Sequence, residues 1–336
     1  MSINQIVNNG SVRNHAIDIM KFLAAIFITN SHIESLYPEK VKILATGGAI
    51  GDALFFFCSG FCLMNGGSTD FFNWYKRRIN RIFPTIFAVA LIGILFCGSD
   101  PTLKQVIING GGWFVKAIML FYVFFWFVKR FFSDKLWIAF AVDFAIILVW
   151  FIWFWDKNIF ILADATYLRW PGYFIIMLMG AAMNCFFQKQ TEEHKEGKGW
   201  MYIGLLFVFT SLYYGYQVLW DYYPILKDFQ IVLIPLLMGI IYAIFKLCSN
   251  EKALKVYLNK YLHWALYGIS ACCLEIYLSG GWSFSVGRKL IRLFPLNIIV
   301  TFLLIFVVAY IVKVFSNFLS QTFKEEKYNW KGMVKL

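Results

Sequence analysis

About ten apolar runs, each close to the length a helix needs to cross a bilayer, follow one another along the 336 residues with only short polar breaks between them. They fall near residues 15–33, 44–65, 79–97, 112–129, 136–155, 170–187, 200–219, 229–248, 262–280 and 293–315. Inside hydrocarbon no water satisfies a backbone N–H or C=O, so runs of this length fold as helices. The expected fold class is therefore all-α, a polytopic integral membrane protein of about ten transmembrane helices. The chain is expected to form a single membrane domain over 1–336, with roughly 15–315 embedded, 316–336 as a polar tail and no fused soluble domain.

Composition agrees. Hydrophobic residues make up 60% and charged residues 15%, with a mean hydropathy of +0.65, whereas a soluble domain is nearer half apolar and about a quarter charged. The polar start Met1–Gly10 and the absence of a small-residue cleavage site before Ser31 predict that the first run stays as a span. The seven cysteines (58, 62, 97, 185, 248, 272, 273) all sit in or beside apolar runs, without zinc-ligand spacing to histidine. Reduced buried thiols are expected, with neither a disulfide framework nor a metal.

A net charge of +12 suggests nucleic acid only until the basic residues are placed. They occupy the short loops, and 21 of the 31 fall on one side of the alternating spans, 10 on the other. That bias is the positive-inside pattern and puts both termini in the cytoplasm; no nucleic-acid partner is expected.

The first run is apolar between two ionisable ends, Asp18-Ile19-Met20-Lys21 and Asn30-Ser31-His32. At about 100° per residue Asp18, Lys21, Ala25, Thr29 and His32 share one stripe, with Lys21 and His32 roughly 16 Å apart along the axis. Titratable groups in a span face the bundle interior by default and mark a functional path. The alignment outweighs the plainer reading, an end-of-helix ion pair with an interfacial histidine. Glu275, about 13 residues into the ninth span at ~1.5 Å per residue, is expected at a height comparable to His32. Two titratable groups at one depth are candidates for a shared polar site. A second cluster, Lys76-Arg77-Arg78-Ile79-Asn80-Arg81, stands where the third span leaves the cytoplasm. Lys76 and Arg77 suit anionic headgroups. Arg78 and Arg81, three residues apart on one helical face, point two guanidinium forks in one direction and suit phosphate.

Together these residues resemble the membrane acyltransferase-3 family, bacterial integral-membrane enzymes that acylate sugars of cell-surface polysaccharides. Asp18, Lys21 and His32 resemble its first-span signature, a basic residue, ten residues, then histidine, with arginine more usual at the Lys21 position. Phe55-Phe56-Phe57-Cys58-Ser59-Gly60-Phe61 resembles its Phe-Phe and Ser-Gly-Phe segment, Arg78-Ile79-Asn80-Arg81 with Pro84 its Arg-x-x-Arg, and Trp113-Phe114 the opening of its fourth span. Ser270 and Glu275-Ile276-Tyr277-Leu278 resemble a late segment in which the family often carries a second histidine, but Gly280 stands there.

The resemblance implies an acyl-coenzyme A donor, most simply acetyl-CoA, reaching the protein from the cytoplasm, and a saccharide acceptor at or beyond a bacterial cytoplasmic (inner) membrane. On that reading Arg78, Arg81 and Lys21 hold the donor's phosphates. His32 acts as general base or as acyl acceptor, and Glu275 orients it or binds the sugar. Asp18 pairs with Lys21, and Asp52, Ser59, Trp113, Ser270 and Tyr277 support the pocket; the remaining partner is membrane lipid. A carrier or flippase for lipid-linked sugars is the alternative, disfavoured because no half-length repeat and no matching pair of Gly/Pro-broken spans is found.

The orientation has a direct test. Single cysteines on a background lacking the native ones, treated with an impermeant thiol reagent on intact cells, should label within 34–43 and 281–292 and stay unlabelled at 195 and beyond Lys324. Labelling of position 195 from outside would reverse the topology.

Overall fold

A computed structural model describes all residues except 1–4, 9–10, 66–69, 163–166, 190–198, 291–292 and 323–326. The expected cytoplasmic loop around position 195 lies outside the described residues. A short antiparallel hairpin, β1 (Gln5–Asn8) with β2 (Ser11–Asn14), leads into a helical chain. The helices are α1 (His15–His32), α2 (Gly48–Met64), α3 (Phe71–Cys97), α4 (Leu103–Asn109), α5 (Gly112–Phe131), α6 (Leu136–Trp153) and α7 (Arg169–Lys189). They continue as α8 (Gly199–Tyr222), α9 (Leu233–Cys248), α10 (Glu251–Tyr257), α11 (His263–Ala271), α12 (Cys273–Leu290), α13 (Leu296–Thr322) and α14 (Trp330–Met333).

Among the described residues, eight helical segments are long and apolar enough to cross a membrane. The two expected spans outside that set carry the candidate chemistry. The first forms one helix, α1, diluted by Asp18 and Lys21, and the ninth is divided at Cys272 into α11 and α12. α3 starts at Phe71, eight residues before the expected boundary, because the Asp70 side chain accepts a hydrogen bond from the Asn73 N–H at 3.0 Å and caps the helix. Arg78 and Arg81 are therefore inside a helix rather than at its edge. α3 stops at Gly98, whose φ of 64° is left-handed. A capping box between Thr102 and Gln105 then starts α4.

The described chain gathers into two compact units. The first takes Met1–Lys21, Asp52–Ser68 and Phe127–Trp264; the second takes Phe22–Gly51, Thr69–Trp126 and Ala265–Leu336. In the first, α2 and α7 cross with backbones touching. A β-carbon at Gly60 would overlap the Met177 carbonyl, and one at Gly180 would overlap the Phe57 carbonyl. Small residues allow this approach inside a membrane, where dispersion rather than water expulsion drives helices together. Phe57 and Phe61 pack beside the crossing on Phe245, with ring centroids 5.3 and 5.7 Å away. Lys129 closes the end of α2, its ammonium donating to the carbonyls of Leu63 and Met64 at 2.7 and 3.2 Å. A cation there meets the negative end of the helix dipole. Gln230, fully buried, accepts from the Ile161 N–H and donates to the Lys157 and Ile159 carbonyls, which ties down the turn after α6.

In the second unit α3, α12 and α13 pack on one another. One core sets Ala88, Val89 and Ile92 of α3 against Val312 of α13. A second joins Ala25 and Ile33 to Cys272 and Ile276, with Ile305 and Ala309 of α13.

The glycine crossing predicts a large effect from a small change. Gly60→Val should lower stability by about 1–3 kcal/mol or more, the usual cost of overpacking, read as a fall in the thermal unfolding temperature of detergent-purified protein. Gly204→Ala and Gly215→Ala, where an added β-carbon meets nothing within 4 Å, should be near neutral.

Candidate active site

His32 ends α1, and the neighbouring chain fixes where that end lies. Gly51 lets α2 approach so closely that a β-carbon there would sit 3.0 Å from the Ala24 carbonyl and 2.6 Å from Ile28 Cγ1. Asn30 donates through Nδ2 to the carbonyls of Leu44 and Thr46 at 2.7 and 3.0 Å and accepts from the Tyr37 hydroxyl. Burial pushes the Tyr37 phenol above its ordinary pKa, so it remains a donor. The α1 end is thus pinned on both sides of one short loop, while His32 itself stays exposed.

Its ring lies 6.2 Å from that of Tyr277 on α12, tilted by 49°. Tyr277 in turn meets Phe114 of α5 at 5.1 Å, and Phe114 stands edge-on to Trp113 at 6.1 Å. α5 opens at Gly112 with a left-handed φ of 61°. A β-carbon there would stand 3.8 Å from the Tyr277 hydroxyl. Three helices, α1, α5 and α12, therefore bring an imidazole, a phenol and a glycine corner together. Gly280, one turn beyond Tyr277 on the same face, borders open space: an added β-carbon meets nothing within 4 Å.

Glu275 is two residues from Tyr277, about 200° around the helix, and its carboxylate engages α3 and α13. Oε1 accepts from Lys313 Nζ at 3.1 Å and from the Thr85 hydroxyl at 3.2 Å, and Thr85 shares a 2.9 Å hydrogen bond with Ser316. The Glu275 side chain is 2% exposed, and its Oε2 is enclosed with no hydrogen-bond partner among the described residues. The residue expected beside His32 in depth is thus held by a lysine and a threonine, the threonine itself bonded to a serine. Lys313 lies inside α13, within the last of the expected spans.

The Arg78 guanidinium stacks on Trp74, 4.3 Å from the ring centroid, with Tyr122 at 5.8 Å. The Trp74 indole N–H is tied to the Tyr122 carbonyl at 3.2 Å. The aromatic shelf holds the plane of the fork. Arg81, on the same face of α3, is exposed.

Other expected site residues belong to the first unit. Asp18 is buried, accepting from the Tyr257 hydroxyl at 3.3 Å and lying 3.8 Å from His15 Nδ1. Lys21 is half-buried on the same helix, and Asp52 and Ser59 are half-buried on α2. Ser270, in the second unit, is buried and donates to the Tyr267 carbonyl at 3.1 Å. Sequence reasoning did not find His15, Tyr257, Thr85, Lys313 or Ser316. Only Lys313, a cation within an apolar run, carried a visible signal. Among the described residues no group of three His, Cys, Asp or Glu side chains is arranged to hold a metal.

These features define a multi-pass helical membrane protein with a histidine–tyrosine pair at one helix junction and an arginine fork at another. The family model described as an acyltransferase domain matches residues 14–316, and the chain belongs to this family, acyltransferase-3. It is a membrane acyltransferase. No curated protein and no solved structure matches it.

The buried Glu275–Lys313 pair makes a prediction that separates charge from packing. Lys313→Met alone leaves an uncompensated carboxylate and should cost about 3–5 kcal/mol, whereas Lys313→Met with Glu275→Gln should recover most of it. Thermal unfolding of the single and double variants reads the difference; an equally unstable double variant would show that the charges do not matter.

Proposed function

We propose that the protein moves an acyl group, most simply acetyl, from cytoplasmic acyl-CoA to a sugar hydroxyl of a cell-surface polysaccharide or its precursor. The observation that carries this reading is the His32–Tyr277 pair at the α1–α5–α12 junction, in a chain of the acyltransferase-3 family. Imidazole is the side chain whose free form titrates closest to neutral pH, which suits it to proton transfer there. As general base, His32 takes the proton of the sugar hydroxyl as its oxygen attacks the thioester carbonyl. The C–S bond breaks and coenzyme A leaves as the thiol with that proton. As acyl acceptor, a ring nitrogen of His32 attacks the thioester carbonyl, the C–S bond breaks and coenzyme A leaves as the thiol with the imidazole proton. The sugar hydroxyl then attacks the acyl-imidazole, the C–N bond breaks and the hydroxyl proton returns to the ring.

Tyr277 is the nearest hydroxyl to the glycine corner and orients the reacting carbonyl. Glu275 works through the packing of α12, a positioning residue for Tyr277. Arg78 and Arg81 bind the phosphates of the donor, and the Trp74 shelf supports this assignment because it presents the Arg78 fork already oriented. The saccharide comes to the His32 side, and no step needs a metal ligand from this chain.

His32→Ala should remove transfer by 10²–10⁴-fold, the usual worth of a general base, while coenzyme A affinity stays near the parent value. Arg78→Ala and Arg81→Ala should do the reverse. Each loses a charge-assisted contact worth about 1.5–3 kcal/mol and raises the Michaelis constant for acyl-CoA with little change in turnover number. Near-parental turnover by a folded His32→Ala protein would remove His32 from the mechanism. Unchanged coenzyme A binding by both arginine variants would return that cluster to a lipid anchor.

A further inference from the structure

A groove runs between α3, α4 and α5, lined mainly by Tyr75, Ile79, Phe83, Ile107, Val115 and Met119. Tyr75, Ile79 and Phe83 recur every four residues, so one stripe of α3 forms a wall. Its apolar side chains are open: Ile79 is 37% exposed, Ile107 46% and its neighbour Ile108 50%. The polar atom at the far end is already engaged, since the Tyr75 hydroxyl donates to the Met119 carbonyl at 3.5 Å. At the other end stands a cation. Lys116 lines the groove and donates to the neutral side-chain carbonyl of Asn109 at 2.8 Å, and among the described residues no acid forms an ion pair with it. Beyond Lys116 the groove reaches Gly111 and Gly112, the corner that faces the Tyr277 hydroxyl.

The sequence of features along α5 is thus reaction centre at Gly112, cation at Lys116, apolar trough by Met119. A sugar carried on a polyprenyl phosphate has the same order: saccharide, phosphate, hydrocarbon. We propose that this groove binds the acceptor as a polyprenyl-phosphate-linked saccharide, with Lys116 on the phosphate and the first isoprene units in the trough. The inference rests on the transferase reading above and specifies its acceptor. An ordinary phospholipid satisfies the trough and the cation but offers no saccharide hydroxyl to His32. The lipid anchor also supplies what a soluble sugar lacks, since the chain is immobilised before the hydroxyl arrives and less entropy is lost at the reaction centre.

The test reads binding apart from turnover. Detergent-purified protein is titrated with polyprenyl monophosphate, with phosphatidylglycerol as competitor, by native mass spectrometry. Coenzyme A affinity and thermal unfolding serve as controls on the same samples. Lys116→Gln and Lys116→Glu should weaken polyprenyl phosphate binding by about 10-fold or more, the worth of one charge-assisted contact. Ile79→Trp, which fills the trough without touching the charge, should weaken it comparably. Tenfold excess phosphatidylglycerol should displace little of the ligand. Equal binding by parent and all three variants overturns the proposal, and so does displacement by phosphatidylglycerol at parity, which marks an annular lipid site. Transfer from acetyl-CoA to a polyprenyl-linked sugar and to the same sugar free in solution then separates the two readings. Selective binding without transfer to either acceptor leaves the groove standing and removes the transferase assignment. Equal transfer to both, unaffected by the Lys116 and Ile79 variants, does the opposite.

Discussion

Burying the Glu275 carboxylate fixes how α3, α12 and α13 pack. An ionised carboxyl in so dry a place is tolerated only if neighbours supply charge and hydrogen bonds. Here each of the other two helices supplies one: Thr85 from α3 and Lys313 from α13, with Ser316 bonded to Thr85 behind them. Moving any one helix by a turn breaks the set, so the polar cluster specifies register where apolar side chains alone permit slippage. The apolar contacts of Ala88, Val89 and Ile92 with Val312 then fill the interface that the cluster has aligned.

The proposed reaction centre inherits that alignment. Tyr277 sits on the side of α12 turned away from Glu275, so the network that locks the helix also sets where the phenol points. His32 arrives independently, from a helix end fastened by Asn30 to the loop at Leu44 and Thr46. Gly112 contributes by having no side chain, leaving the Tyr277 hydroxyl accessible from the start of α5. Rigid anchoring on two sides and an open third side suit a transfer between substrates that approach from different directions. Preorganised donors of this kind do most for a reaction when water is excluded around them.

Much of the fold was legible because hydrocarbon imposes a length and a polarity on any crossing helix. The runs at 112–129, 136–155 and 200–219 became α5, α6 and α8 nearly as expected. What escaped notice depends on partners distant in sequence. Cys272 divides a run that looked continuous, and α4 is too short to stand out by composition. Glu275 and His32 were singled out because an ionisable group in an apolar run is conspicuous. The partner of Glu275 was not, since 38 residues separate it from Lys313 and no periodicity links them. Lys313 and Lys129 lie near the ends of expected spans, where a cation commonly meets the membrane surface. One neutralises a buried acid and the other caps α2, so a tally of loop cations counts residues whose work is internal.

α1 bears on how such a chain enters a membrane at all. From His15 to Ser31 none of its residues is exposed in the folded protein, yet it lies outside the set of helices apolar enough to cross alone. His15, Asp18 and Lys21 near its start make lipid a poor first host. The next helix to leave the ribosome is α2, whose glycines accept α1 at backbone distance. Insertion therefore proceeds most favourably as a helical hairpin, with α1 held until α2 can shield it. Substitutions at Gly51 would then act during biogenesis, reducing the amount of protein delivered to the bilayer before any catalytic property is expressed.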